Sequence, residues 1–402
     1  MKTNYLFTGL TLAAMLLASC EADDTAEIVI NNTDNSTTTV NNGDTGGGEE
    51  PDPTGEEINL QGTKTSDLVL DPINTYTLTG GLIMAPGTKL TIPAGMTIKA
   101  SSGASVFIAI SQGATIDAQG TASEPIVLTS ASAAPVAGDW GGLILLGKAP
   151  INSVSGNATS TSEIGGLPYG GTDPGDYSGI IKYLRIEYSG GAADSSSENN
   201  GFSFYGVGNN TVVDHIQAYE GKDDGMEFFG GTVNVNYIYV TGAQDDSVDW
   251  TEGFSGQLNN VYIVQGAEHD KGIEADGFNT DIGNNSDPVY FSKPTVSNIH
   301  IVGAGEGEAV RLRAGTQGVF SNMIIEDFAL AYHIVGDATN SPTGQGVLDG
   351  DLSVTDVNFV NVTTKLENET TETFTEAEFI SGDGNATDID FATWGAGWTR
   401  DN

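Results

Sequence analysis

The feature that most constrains the fold is a short acidic motif that returns at intervals of 22 and 25 residues. Each copy begins with an acid, continues through a small residue and an apolar residue, and ends on a second acid. The clearest copies occupy residues 223–227, 245–249 and 270–274, and looser copies occupy residues 199–203 and 307–311. A period of this length is typical of solenoids, in which stacked units share a core that no single unit can bury.

The repeat units consist of short β-rich runs separated by turn residues, and no long segment shows a helical period. Alternation along a strand places the apolar residue of each motif inside and the following residue outside. The residues expected inside are Met226, Val248, Ile273 and Val310, and those expected outside are Glu227, Asp249, Glu274 and Arg311. Together these features predict an all-β chain folded as a right-handed parallel β-helix. An antiparallel sandwich is the alternative, but its hairpins would not explain matched motifs one full coil apart.

The first 20 residues indicate export and lipidation. They contain one basic residue, an apolar core of signal-peptide length, and the run Leu17-Ala18-Ser19-Cys20. This run resembles the lipobox of bacterial lipoproteins, in which the cysteine becomes the lipidated first residue of the mature chain. An ordinary secretory signal followed by a chance cysteine is the alternative. We expect a signal peptide over residues 1–19 and a lipid anchor on Cys20, with no membrane-spanning segment after it.

Residues 20–57 form the predicted linker, and residues 58–402 form the predicted β-helix domain. The linker is rich in Asn, Thr, Gly, Asp and Glu, so it cannot bury enough apolar surface to fold and is expected to be a flexible tether. Its start, residues 21–24, resembles the acidic export signal of Bacteroidetes surface lipoproteins. The alternative is that these acids are merely the beginning of an acidic linker.

The charge of the chain limits its partners. The sequence has 54 acidic and 14 basic residues, which gives a formal net charge of −40 at pH 7. Nucleic acid is therefore not expected as a partner, because neutralising phosphates requires a basic face.

Several longer segments resemble one known family. The segments "GDWGGLILLGKAPIN", "DDGMEFFGGTVNVNYIYVTGAQDDSVDWTEGF" and "KGIEADGF" are similar to those of Bacteroidetes-type surface lipoproteins with a pectate-lyase-like β-helix. The resemblance extends from about residue 60 to "WGAGWT" near the C-terminus. It implies a β-helix fold and a place at the outer membrane. Some relatives have transporter-like names or occur with TonB-dependent transporters, so it also implies a possible transporter partner.

The stacked acids suggest a cation site. Aligned residues on neighbouring coils lie about 4.8 Å apart, where two like charges repel by about 0.8 kcal/mol in water and about 3 kcal/mol at a dielectric of 20. Solvent screening, protonation or a bound cation would relieve this repulsion, and Ca²⁺ suits a set of oxygen ligands. The alternative is that Asp and Gly only form turns on a hydrated ridge. The candidate calcium ligands are Asp223, Asp224, Glu227, Asp245, Asp246, Asp249, Asp270, Glu274 and Asp276.

Catalytic and aromatic candidates are fewer. Lys271, Arg311 and Arg313 are the candidates for a polysaccharide lyase, although the acids beside Lys271 should keep it protonated and spoil it as a base. A hydrolase with paired carboxylates is also open. The aromatic candidates for stacking on a sugar or a partner are Tyr237, Tyr239 and Tyr262, which alternation places outside. Stacking of these tyrosines on each other is the alternative. Trp394 and Trp398 are expected to cover the open end of the solenoid.

These observations favour a non-enzymatic role. We expect an outer-membrane lipoprotein that binds a glycan or another nutrient, or docks on a TonB-dependent transport complex, with Ca²⁺ as a possible stabilising ion. The alternative is a Ca²⁺-dependent polysaccharide lyase or another glycan-cleaving enzyme.

Overall fold

The computed structural model describes residues 55–153, 157–193, 197–280, 288–336 and 343–401. The predicted signal peptide, Cys20 and nearly all of the predicted linker lie outside these residues. The first strand begins at Glu57, next to the predicted domain boundary at residue 58.

The first part of the body contains eleven strands of uneven length. They are β1 (Glu57–Lys64), β2 (Leu68–Val69), β3 (Thr75–Met84), β4 (Lys89–Ile92), β5 (Thr97–Ala100), β6 (Ile108–Ile110), β7 (Thr115–Gln119), β8 (Ile126–Ser130), β9 (Leu143–Leu146), β10 (Thr159–Thr161) and β11 (Pro168–Gly170). β10 and β11 form the one antiparallel pair within the described ranges. The other strands of this part stack in parallel, for example β6 on β3 and β9 on β6.

From residue 179 onward the strands alternate between long and short. They are β12 (Gly179–Glu187), β13 (Phe202–Tyr205), β14 (Val212–Tyr219), β15 (Met226–Phe229), β16 (Asn234–Thr241), β17 (Val248–Thr251), β18 (Gln257–Val264), β19 (Lys271–Asp276), β20 (Thr295–Val302), β21 (Glu308–Arg313), β22 (Gly318–Glu326), β23 (Leu330–Ile334), β24 (Leu352–Val360), β25 (Thr364–Asn368) and β26 (Ile380–Asp383). Three short helices lie near the C-terminus: α1 (Thr343–Asp349), α2 (Glu376–Phe379) and α3 (Phe391–Trp394).

Each strand of this second part pairs in parallel with the strand two positions later, so that β14 lies on β12 and β15 on β13. One coil therefore contributes one long and one short strand. This topology confirms a parallel β-helix and is incompatible with an antiparallel sandwich, because hairpin-connected strands would pair with their immediate sequence neighbours.

The interior is formed by the apolar residue of each motif. Met226, Val248, Ile273 and Val310 are in register on consecutive coils, and each is fully buried, as predicted. A stack of phenylalanine rings lies beside them, with ring centroids of Phe228 at 4.9 Å from one neighbour and 4.6 Å from the other. Similar apolar environments on successive coils thus extend one core along the solenoid axis.

A corner divides each long strand, and asparagine is the commonest residue there. Asn260, Asn298 and Asn322 adopt φ values of 55° to 56°, a left-handed conformation that asparagine tolerates better than most residues. Their side-chain amides form a hydrogen-bonded ladder that runs from coil to coil. Asn322 donates to Asn298 at 2.8 Å, Asn298 donates to Asn259 at 2.8 Å, and Asn260 donates to Asn236 at 2.9 Å.

The C-terminal segment, residues 384–401, returns along the flank of the long strands. Near its start, the Thr387 amide donates to Asn322 Oδ1 at 2.6 Å on β22. Near its end, the Arg400 amide donates to Gln217 Oε1 at 2.8 Å on β14. The segment therefore runs back across the coils, from β22 toward β14.

The two tryptophans of this segment lie on the flank and not on the end of the solenoid, so that expectation is wrong. Trp398 is fully buried, and its ring contacts Tyr183 and His215 at centroid distances of 5.7 and 5.5 Å. The outer face of the long strands carries the aromatic rings on which the tryptophans pack, among them Tyr183, His215 and Tyr237.

Candidate functional site

The outward acids of the motifs form the predicted column. Glu227 is the strand neighbour of Asp249, and Asp249 is the neighbour of Glu274, on β15, β17 and β19. Side chains alternate in direction along each short strand. Because the apolar residue points into the core, the carboxylate that follows it lies on the outer face. The alignment that was read from the sequence is therefore confirmed at the level of individual residues.

The acid pairs before these strands form the second column. Some of these aspartates also have the structural role in turns that was the alternative to calcium binding. Asp224 Oδ1 accepts from the Asp246 amide at 3.0 Å, and Asp246 Oδ1 accepts from the Lys271 amide at 2.9 Å. One oxygen of each buried aspartate thus joins its own coil to the next. The preceding aspartates are stacked as well, since the Asp270 amide donates to the Asp245 carbonyl at 3.3 Å.

The two columns line one open groove with a volume of about 470 Å³. Ten carboxylates and three cations surround it, which leaves a strong excess of negative charge. The lining residues are Glu163, Glu198, Asn200, Asp223, Asp224, Glu227, Asp245, Asp246, Asp249, Asp270, Lys271, Glu274, Arg311 and Arg313. We call this site the acidic groove. Eight of the nine predicted calcium ligands lie in it. The ninth, Asp276, instead accepts from Arg313 Nε at 2.5 Å, so its inclusion as a groove ligand is not supported by the structure.

Two acids of the groove, Glu163 and Glu198, were not identified from the sequence. They lie outside the repeating motifs, between β10 and β11 and before β13 respectively. A search by period cannot find residues that do not repeat, and no other local signal distinguishes them from the many acids of this chain.

The cations of the groove are held by carboxylates. Lys271 Nζ contacts Asp270, lies 3.1 Å from Glu274 Oε1, and lies 3.6 Å from Asp246 Oδ1. Burial works to lower the pKa of Lys271, but Asp246 and Glu274 overcome it, so that the pKa lies above its ordinary value. Lys271 is therefore protonated at neutral pH, as the sequence analysis argued, and cannot abstract a proton in this state.

The two arginines differ in how closely they are paired. Arg313 Nη2 lies 2.6 Å from Glu274 Oε2, in addition to its bond to Asp276. Arg311 Nε lies 3.9 Å from Glu308 Oε2 and makes no hydrogen bond. The structure thus brings all three catalytic candidates to the groove, and it engages Lys271 and Arg313 as counter-ions of the acids.

The carboxyls of the groove are perturbed by burial and by one another. Burial, together with Glu198 and Asp245, raises the pKa of Asp223 to about 8. Burial followed by neighbouring acids also raises the pKa of Asp224, Glu227 and Asp249 well above their ordinary values. At neutral pH the folded protein therefore retains more protons on these carboxyls than free carboxylic acids would, unless a cation lies beside them.

The donor set fits a hard divalent cation. Four overlapping trios of carboxylates place one oxygen from each member within 4.8 Å of the others. Asp249 belongs to two of the trios, and its Oδ1 is buried and has no hydrogen-bond partner. Oxygen ligands at irregular positions match the coordination that Ca²⁺ accepts. The trios are Asp223–Asp224–Asp245, Asp224–Glu227–Asp249, Asp245–Asp246–Asp270 and Asp246–Asp249–Glu274.

The three tyrosines face away from the core, but the C-terminal segment covers them. Tyr239 is 3% exposed, its hydroxyl donates to Asp401 at 3.0 Å, and its ring lies 4.7 Å from that of Phe391. Phe391 also stacks on Tyr262 at 4.0 Å, and Trp394 lies 5.3 Å from Tyr237. With the segment in this position, the tyrosines are not an open surface for stacking on a sugar.

Comparison with known proteins assigns the family. The family model described as a pectate-lyase-like β-helix domain matches residues 62–399, which is almost the whole described body. The chain belongs to the pectate-lyase-like β-helix family. The acidic groove of this family member lies on the outer face of its short strands, within the matched residues.

Solved structures similar to this family member include the catalytic domain of GH87 α-1,3-glucanase in complex with nigerose. The identity is 13% and the TM-score is 0.32, and the match covers 82% of this chain and 64% of that one. A variant of the same catalytic domain matches with 14% identity and a TM-score of 0.30, again covering 82% and 64%. Comparison with curated protein sequences finds no match. Among the described residues, no helix is both long and apolar enough to cross a membrane.

Proposed function

We propose that this protein is a surface lipoprotein that binds glycans or related polyhydroxylated nutrients through Ca²⁺ held in the acidic groove. The observation that supports it best is the set of four overlapping carboxylate trios, which converge on one open groove. In this proposal the trios supply part of the coordination sphere of each ion, and ligand oxygens complete it from the open side.

Calcium explains how the groove tolerates its charge. The trios around Asp249 and Asp246 would hold the ion, and Asp249 Oδ1, which makes no hydrogen bond, would gain a partner. Ca²⁺ takes six to eight oxygen ligands, more than one trio provides, so positions remain for water or for hydroxyl and carboxylate groups of a ligand. When bound, the ion supplies positive charge at a place where the protein alone presents an excess of negative charge.

Binding without cleavage is favoured because two of the three cations of the groove, Lys271 and Arg313, are paired with carboxylates. A lyase needs a neutral base beside its substrate, whereas Lys271 is protonated and contacts three acids. A hydrolase is the second candidate, and the raised pKa values support it. Glycoside hydrolysis needs one protonated carboxyl near an ionised one, and Asp223, with a pKa raised to about 8, could be such an acid.

The proposed location rests on the N-terminal sequence. Cys20 would bear the lipid, and residues 20–57 would connect it to the β-helix, with the acids at residues 21–24 directing the protein to the cell surface. A TonB-dependent transporter is the proposed partner, following the family resemblance, because a bound nutrient must then cross the outer membrane.

The test measures binding and turnover with the same samples. The purified protein is assayed against neutral and acidic polysaccharides in Ca²⁺ and in chelator, by glycan binding and by release of reducing ends and unsaturated products. We expect affinity to fall at least about tenfold in chelator and in Glu227→Gln, because ligand charge sets the strength of calcium sites, with no products formed. Glu57→Gln is the matched control, since Glu57 is exposed on β1. Binding that is indifferent to Ca²⁺ would refute the proposal, and Ca²⁺-dependent product formation would replace it with the enzyme.

A further inference from the structure

The outward column that lines the acidic groove continues beyond it toward the C-terminus. Glu274 on β19 is the strand neighbour of Arg311 on β21, Arg311 is the neighbour of His333 on β23, and His333 is the neighbour of Glu367 on β25. The column therefore changes from carboxylates to an arginine, then to a histidine, and then to another carboxylate. None of the residues from β23 onward lines the acidic groove.

His333 is buried and faces three carboxylates. His333 is 6% exposed, and its Nδ1 lies 2.9 Å from Glu308 Oε1. Its Nε2 is buried and makes no hydrogen bond, while Glu369 Oε2 lies 3.4 Å away. One ligand atom each from His333, Glu367 and Glu369 lies within 4.8 Å of the other two. Among the acidic and histidine groups of the described residues that could hold a metal ion, this is the one that contains a histidine.

This arrangement leaves one nitrogen of the imidazole, Nε2, without a hydrogen-bond partner beside a carboxylate. If Nδ1 bears the proton and donates a hydrogen bond to Glu308, Nε2 carries the lone pair and lies 3.4 Å from Glu369 Oε2. A lone pair beside carboxylate oxygens is repulsive unless a proton or a cation lies between them. An imidazole that donates one ring N–H to a carboxylate and offers its other nitrogen is the common arrangement at protein metal centres.

We propose that His333, Glu367 and Glu369 bind a divalent transition-metal ion, with Glu308 orienting the imidazole. One nitrogen and two carboxylate ligands suit Zn²⁺, Co²⁺ or Mn²⁺, whereas Ca²⁺ prefers oxygen ligands alone. The proposal goes beyond the binding role of the acidic groove and does not depend on it, because none of these three ligands lines that groove.

Backbone hydrogen bonds hold Glu369, the exposed metal ligand at the turn after β25, in place. The Glu369 amide donates to the Ile334 carbonyl at 2.9 Å, and Asn368 Oδ1 accepts from the Thr370 amide at 2.9 Å. The turn that presents Glu369 is thus attached to the strand that bears His333. A metal ion here would join β23 to the turn after β25 and so stabilise the last coils of the solenoid.

The experiment titrates Zn²⁺, and Co²⁺ as a spectroscopic probe, into the chelator-treated protein in excess Ca²⁺, so that the acidic groove is already occupied. We expect one Zn²⁺ per chain, a visible Co²⁺ band that Zn²⁺ displaces, and a change in the ¹⁵N chemical shift of His333 Nε2. The double variant Glu367→Gln/Glu369→Gln should weaken Zn²⁺ binding at least about tenfold. Glu56→Gln/Glu57→Gln is the matched control, since both residues are exposed at the other end of the chain, and it should bind as the wild type does.

Circular dichroism of every variant checks that it folds. If the double variant does not fold, Glu369→Gln alone serves, because the Glu369 side chain is 53% exposed. Equal Zn²⁺ affinity in the wild type and the folded variant would overturn the proposal. So would a His333 imidazole that is protonated on both nitrogens with and without Zn²⁺, because a proton alone then satisfies the site. Absence of glycan binding by the wild type in Ca²⁺, with Zn²⁺ binding intact, would refute only the proposed role of the acidic groove.

Discussion

Chelating calcium at pH 8 is expected to lower the melting temperature of the protein by about 5–10 °C, on the basis of one or two ions at a concentration far above their dissociation constants. At pH 5 the same treatment should change it little. The reason is the state of the groove carboxyls. At pH 8 the calcium-free groove must ionise Asp223, whose pKa is raised to about 8, against its acidic neighbours. At pH 5 these groups keep their protons, so no cation is needed.

The sign of the pH dependence follows from the raised pKa values. In the folded state Asp223, Asp224 and Asp249 hold protons at pH values where the unfolded chain has released them, since burial and neighbouring acids raise their pKa. The folded state thus binds more protons than the unfolded state above about pH 4, and stability in chelator falls as pH rises from there to about 8. Differential scanning calorimetry at pH 5, 6, 7 and 8 measures this directly.

Two outcomes would contradict this prediction. One is an unchanged melting temperature on chelation at pH 8, and the other is a melting temperature in chelator that rises with pH over this range. Glu227→Gln provides the matched comparison, because it removes one groove charge with little change in shape. It should melt higher than the wild type in chelator at pH 8, while Glu57→Gln should melt as the wild type does.

Replacing Trp398 by alanine is expected to destabilise the protein by about 3–5 kcal/mol, the usual cost of removing a buried large aromatic side chain. Trp398 is fully buried, its Nε1 donates to the Trp394 carbonyl at 2.7 Å, and its own carbonyl accepts from Arg185 at 2.6 Å. The ring connects the C-terminal segment to β12 and β14, so its loss should release the end of that segment.

Trp394→Ala is the control for this prediction. Trp394 is the same residue type in the same segment but is only partly buried, so its replacement should cost about half as much or less. Denaturant unfolding of both variants gives the comparison. A cost for Trp398→Ala below about 1 kcal/mol, or equal costs for the two variants, would show that the segment does not pack on the flank as described.

The same variants also test the tyrosine prediction. If Trp398→Ala uncovers Tyr239 and Tyr262 and a sugar then quenches or shifts aromatic fluorescence, these tyrosines can stack on a ligand once the segment moves. If no sugar does so, stacking on Phe391 and on each other is their role.

Much of the fold could be predicted because the repeat encodes it locally. The coils of β15, β17 and β19 contain the same sequence of turn, inward apolar residue and outward acid, so aligning residues 223–227 with residues 245–249 is equivalent to predicting their strand register. The corner asparagines are equally local, since the left-handed conformation selects that residue type. For these features the repeat length is sufficient, because residues one repeat apart in the sequence are neighbours on adjacent coils.

The path of the C-terminal segment could not be predicted in this way. The segment contacts β12 and β14 from more than 180 residues away in the sequence, through pairs such as Arg400 and Gln217. Such a contact depends on how a non-repeating chain end packs on an aromatic flank, and no period indicates it. The covering of Tyr239 follows from that packing, which is why alternation placed the ring correctly outside the core but not in solvent.

The histidine site was missed for a related reason. His333 and its acids follow no familiar metal-binding spacing, because Glu308, His333 and Glu367 come from three successive coils separated by unequal loops. Extending the aligned column from Glu274 through Arg311 to β23 and β25 would have brought His333 and Glu367 together on one face.

The most direct test of the central claim is equilibrium dialysis of radioactive Ca²⁺ against the chelator-treated protein at pH 8, with Glu227→Gln and Glu57→Gln in parallel. We expect retained Ca²⁺ in the wild type and in Glu57→Gln with equal affinity, and at least about tenfold weaker binding in Glu227→Gln. Failure of the wild type to retain Ca²⁺, or equal affinities in all three proteins, would contradict the proposed calcium site.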